Sequence, residues 1–164
     1  MMLRRLSLSA VITLCLILAA CGESNDAASP TEADRSIPGG ADEQDVAVID
    51  EWATALASGD VEKAAGYFRI PSIAENGGVL LRIESRGQAR LFNSSLPCGA
   101  ELVRAESQGE FTTATFRLTE RPGPGTCGAG SDGEAQTAFV IEDGQIVEWR
   151  RVGSGTQSAP SRPA

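Results

Sequence analysis

Histidine is absent from this 164-residue chain, and tyrosine and lysine each occur once, as Tyr67 and Lys63. Imidazole is the commonest general base and metal ligand, so its absence removes serine–histidine and cysteine–histidine nucleophile systems and most transition-metal sites. Basic charge is also short. Fourteen Lys and Arg stand against 22 Asp and Glu, a formal charge of −8, and no stretch gathers cations into the patch that a phosphate backbone or an anionic lipid surface requires. Nucleic acid is therefore not an expected partner. Long apolar runs are scarce too, with a single one at the N-terminus.

That run begins what is there. Arg4 and Arg5 form a charged start, Leu6 to Leu18 an apolar stretch, and Ala19 and Ala20 a small-residue end, the three parts of a secretory signal. From Leu6 to Ala20 the run has 15 residues, short of the roughly 20 that a helix needs to cross a bilayer core. Cys21 follows directly. Leu18-Ala19-Ala20-Cys21 resembles the lipobox of bacterial lipoproteins. The resemblance implies a signal peptide over 1–20, cleavage before Cys21, and acylation of Cys21 with chains such as palmitate. It also implies residence outside the cytoplasm, anchored by lipid to the bacterial cell membrane. Two or three acyl chains hold a protein durably where one does not.

Of the four cysteines, Cys15 leaves with the signal and Cys21 is consumed by lipid, which leaves Cys98 and Cys127 as a pair. Outside the cytoplasm such a pair oxidises, so a disulfide between them is expected. Loss of Arg4 and Arg5 makes the mature chain still more acidic. Residues 21–41 are mostly Ser, Ala, Asp, Glu, Pro and Gly with Ile37 as the single bulky apolar side chain, too little to offset the entropy of ordering them, and read as a disordered tether. Residues 153–164 have the same character and read as a disordered tail. One domain, 42–152, lies between.

Its elements can be read from spacing. Asp42 is a suitable cap for a helix carrying Val46, Ile49, Trp52, Ala53 and Leu56 on one face, and Ser58-Gly59-Asp60 ends it and starts a second, short helix. Extended pieces follow over Ile70 to Ala74 and Val79 to Ile83 about Asn76-Gly77-Gly78, then a third helix from Gln88 to Leu96, which absorbs the Asn93-Ser94-Ser95 sequon. Glu101 to Ser107 and Glu110 to Glu120 form a hairpin turning at Gln108-Gly109; Thr137 to Glu142 and Gln145 to Val152 form another about Asp143-Gly144. Along the strands Ala114 and Phe116 alternate with Thr113, Thr115 and Arg117, and Ala138 and Val140 alternate with Thr137, Phe139 and Ile141. Neither face is fully polar.

The first helix, the Ser58-Gly59-Asp60 corner, Tyr67-Phe68 and the closing segment from Phe139 to Trp149 resemble the nuclear transport factor 2-like superfamily, which includes ketosteroid isomerases and SnoaL-like polyketide cyclases. The resemblance implies an α+β fold: a cone-shaped, curved antiparallel sheet wrapped around N-terminal helices, enclosing a cavity. It also implies a homodimer formed through the sheet. Isomerase chemistry in that superfamily uses a carboxylate base with a tyrosine and a protonated aspartic acid as oxyanion donors. Here Glu75 and Asn76 stand near the place of the aspartate and Tyr67 is the sole tyrosine. Glu75 and Tyr67 are thus the catalytic candidates, and Trp52, Tyr67, Asn76, Arg117 and Phe139 are candidates for lining a ligand site.

With so few chemical groups the sequence points away from an enzyme. The expectation is a lipid-anchored envelope protein that binds a small apolar ligand or a partner, with no cofactor and no metal. An isomerase, cyclase or dehydratase acting through Glu75 and Tyr67 is the alternative, and an envelope assembly or accessory subunit is a third reading. The cavity and its lining distinguish the three.

Overall fold

The computed structural model describes residues 39–153. The leader, Cys21, most of the tether and the tail beyond Gly153 lie outside the described residues. Helix α1 runs over Glu43–Ala57, and the Asp42 carboxylate caps it by accepting from the backbone N–H of Gln44 at 2.9 Å and of Asp45 at 3.3 Å. Its apolar stripe, Ile49, Trp52, Ala53 and Leu56, is buried. The corner that follows depends on one glycine. Gly59 has φ +80°, and a Cβ there would come 2.8 Å from the Pro122 carbonyl oxygen, so neither the conformation nor the space admits a side chain. Asp60 then accepts from the Lys63 N–H at 2.9 Å and starts α2, Val61–Gly66.

Strands β1 (Phe68–Asn76) and β2 (Val79–Ile83) form a tight hairpin through Gly77-Gly78, with Asn76 paired to Val79. Helix α3, Arg86–Ser95, is capped by Ser85 and leads into β3 (Gly99–Gln108), β4 (Phe111–Thr119), β5 (Glu134–Glu142) and β6 (Gln145–Val152). The six strands make one curved, unclosed sheet in the order β2-β1-β6-β5-β4-β3. The α+β order expected from the sequence is the order observed.

Two details of the sheet differ from the sequence reading. The β1–β6 pair is parallel while the other four pairings are antiparallel. A parallel pair needs a long connection, and everything between Asn76 and Gln145 supplies one. The β3–β4 turn is also offset by one residue. Gln108 pairs with Phe111, so Gly109-Glu110 makes the turn with Gly109 at φ +63°, and a register shift between Leu102 and Arg104 brings Gly99 opposite Thr119. The left-handed backbone needed at the first turn position selects the glycine for that place.

Helix α1 lies along the concave face of the sheet, where Trp52 meets Phe116, Phe139 and Trp149 edge to face at centroid distances of 6.0, 5.5 and 6.4 Å. On the opposite face Phe111, Ala138, Val140 and Val147 form a second, smaller apolar cluster. The Thr112 hydroxyl donates to Asp45 at 2.8 Å and fastens α1 to β4.

The loop after β4 is held at several points. Cys98 and Cys127 are joined by a disulfide across a separation of 29 residues. Glu120 accepts from the backbone N–H groups of Cys127 and Gly128 at 3.2 and 3.0 Å, where a short 3₁₀ turn begins. The Gly-rich segment is thus closed back onto the start of β3.

Candidate ligand cavity

Between α1, the loop held by the disulfide and the concave face of β3 to β6 lies a cavity of about 260 Å³. Its inner wall is apolar. Trp52 and Leu56 from α1, Phe116 from β4 and Trp149 from β6 line it, and the Cys98–Cys127 bridge, with Leu96 and Pro97, forms the side nearest the loop. At roughly 30 Å³ per water this is the room of about nine waters, below the roughly 300 Å³ at which drug-sized sites begin. The space suits a small molecule.

Polar atoms in the wall are few and differently placed. The Trp52 indole N–H donates to the Asn93 side-chain oxygen at 2.9 Å, while the Asn93 amide donates to the Ala89 carbonyl at 2.8 Å. Asn93 is fully buried, which places the acceptor side chain of the sequon away from the surface. The Trp149 indole N–H is buried as well but has no hydrogen-bond partner among the described residues. Thr137 on β5 stands directly opposite Arg151 on β6 in the ladder, and both line the cavity. Thr137 is buried and Arg151 is exposed, so the guanidinium belongs to the mouth and the hydroxyl to the interior.

The candidate catalytic pair does not meet here. Tyr67 sits at the end of α2 and its hydroxyl donates to the Glu51 carboxylate at 3.0 Å near the surface. Burial, then the hydrogen bond to Glu51 and the Glu51 charge, push its pKa up to about 12. Glu75 projects from β1 to the face opposite the cavity, where its carboxylate accepts from Arg150 at 3.0 Å, and Arg150 also pairs with the buried Glu148. Neither Glu75 nor Tyr67 lines the cavity.

The other candidates divide. Trp52 lines the cavity. Phe139 is fully buried behind it, between Trp52 and Phe116. Asn76 is exposed at the β1–β2 turn, and Arg117 is exposed on β4, 3.5 Å from Glu101 on β3. Trp52 is the one ligand candidate in the wall; Thr137, Trp149 and Arg151 are among the lining residues that the sequence reading did not select. Strand alternation carried the signal, because Trp149 belongs to the core face and Arg151, two residues on, shares that face.

No family model and no curated protein sequence matches the chain. Solved structures do. A candidate polyketide cyclase from Sinorhizobium meliloti is 14% identical, with a TM-score of 0.52 over 65% of this chain and 94% of that one. A candidate ketosteroid isomerase from Kribbella flavida is 17% identical, with a TM-score of 0.50 over 73% of this chain and 84% of that one. A nuclear transport factor 2-like protein of unknown function from Burkholderia xenovorans is also 17% identical, with a TM-score of 0.50 over 72% of this chain and 88% of that one. At these identities the likeness is one of fold, a cone of curved sheet around helices.

Proposed function

We propose that this chain is an exported, lipid-anchored protein of the cell envelope whose cone binds a small, largely apolar molecule without transforming it. The observation that carries the reading is the cavity wall: aromatic and aliphatic side chains with one threonine and one arginine, and, among the described residues, no carboxylate or tyrosine. Proton transfer in a cone of this kind needs an acid or base within hydrogen-bond reach of the substrate. Glu75 and Tyr67, the groups available for it, are engaged with Arg150 and Glu51 outside the cavity. Binding needs no more than an apolar enclosure with a few orienting groups.

The address rests on the sequence Leu18-Ala19-Ala20-Cys21. Changing Cys21 to Ser removes the acylated sulfur, so the variant accumulates as uncut precursor or leaves the membrane fraction. A variant that fractionates like wild type with the same added mass refutes the lipid anchor. The expectation that the ligand is not transformed is tested separately by turnover on a panel of enolisable ketones, where the reading expects no rate above that of buffer.

A further inference from the structure

We propose that the ligand of the cone is a small anionic amphiphile, an organic acid whose apolar body lies against Trp52, Leu56 and Phe116 and whose acid group pairs with Arg151 at the mouth. The inference deepens the binding reading above and rests on it.

Arg151 is set apart by what the other arginines do. Arg69, Arg82, Arg90, Arg104, Arg117 and Arg150 each pair with a carboxylate. Arg86 and Arg121 donate to backbone carbonyls. Among the described residues Arg151 is the arginine with neither, in a chain where acids outnumber bases 22 to 14. A cation in such a chain lacks a partner because of where it stands, and Arg151 stands on the wall of an apolar cavity.

The surroundings favour an acid there. No carboxylate among the described residues lines the cavity to repel one or to satisfy the guanidinium in its place. Thr137, directly opposite on β5, offers a hydroxyl that can donate to a second oxygen of the same group. The volume of about 260 Å³ limits the body to a short alkyl chain or a single substituted ring.

Octanoate and its neutral counterpart octanamide test this, because they share a body and differ in the head. The chain has two tryptophans, Trp52 and Trp149, and both line the cavity, so intrinsic emission of the purified full chain reports occupancy. We expect octanoate to bind about five- to tenfold more tightly than octanamide, the range for a partly exposed charge-assisted contact. Arg151→Gln should erase that difference while octanamide still binds. The retained octanamide binding also certifies that the variant is folded, and Arg151→Lys should recover part of the preference through charge alone. Equal affinity for the two ligands, unmoved by Arg151→Gln, overturns the anionic class while leaving cavity binding intact. Failure of both ligands to bind overturns this proposal and the binding reading together.

Discussion

The indole N–H of Trp52 donates to the side-chain oxygen of Asn93 at 2.9 Å, joining α1 to α3 inside the core. Asn93 also donates to the Ala89 carbonyl one turn back, so both ends of its amide are satisfied. Trp52 in turn forms part of the cavity wall and touches three other aromatic rings. One polar side chain on α3 thereby fixes the ring on which the cavity is built. Asn93→Ala strands the buried indole N–H, and the cost of an unsatisfied buried donor is about 1–3 kcal/mol. Urea unfolding should report a loss in that range, and an unchanged midpoint would mean the bond does not hold the ring.

Tyr67 supplies a pH prediction that its solitude makes clean. Its neutral form is favoured in the folded state by burial and by Glu51, with a pKa raised from the ordinary 10 to about 12. The unfolded chain loses this proton near pH 10 and the folded chain keeps it, so between about pH 10 and pH 12 stability falls as pH rises. Absorbance titration of the single phenol should give a midpoint near 12. Glu51→Gln should bring it part of the way back, since burial, the larger cause, remains. A midpoint near 10 in the wild-type protein would deny the contact.

The Cys98–Cys127 bond closes a span of 29 residues and forms part of the cavity wall. Chain-entropy estimates for a loop of that size give roughly 3 to 4 kcal/mol. Peptide mapping after alkylation of the unfolded, unreduced chain should find neither Cys98 nor Cys127 labelled. Reduction should lower stability by that order and weaken ligand binding, because the loop that completes the wall loses its tether. Stoichiometric labelling of both residues would end the proposal.

Glu75 is the residue whose placement separates a binder from an isomerase. Its contact with Arg150 lies on the face of the sheet away from the cavity, and both side chains are partly exposed. Glu75→Gln should cost about 1 kcal/mol or less, as partly exposed pairs do, and leave octanoate affinity within about twofold of wild type. A large loss of affinity would place Glu75 in the site after all.

How legible this was in the sequence depended on the range of the interactions. The α1 stripe, the Asp42 and Asp60 caps and the Gly59 corner are local signals, and the observed helices follow them. The Gly77-Gly78 turn was equally clear. The parallel β1–β6 pair was not, because no turn chemistry specifies a pairing between strands so far apart in the chain. The β3–β4 register was missed by one residue because Gln108-Gly109 and Gly109-Glu110 are both possible turns, and the positive φ that chooses between them is a property of the fold. For the site, Trp52 could be picked out as an aromatic on a core stripe, yet Thr137 and Arg151 become neighbours through the β5–β6 register. Tyr67 is picked out as the sole tyrosine and Glu75 by its place in the family resemblance. Their positions depend on Glu51 and Arg150, partners that residue type does not reveal.

Native mass spectrometry of the full chain, purified from the cells in which it was made, tests the central claim most directly. A cone that binds without turnover should carry a noncovalent adduct of a few hundred daltons or less, lost on denaturation and recovered chemically unchanged, in keeping with a cavity of about 260 Å³. A chain that retains no small molecule, and gains none when octanoate or octanamide is supplied in excess, would contradict the account and leave the cone as a feature of assembly.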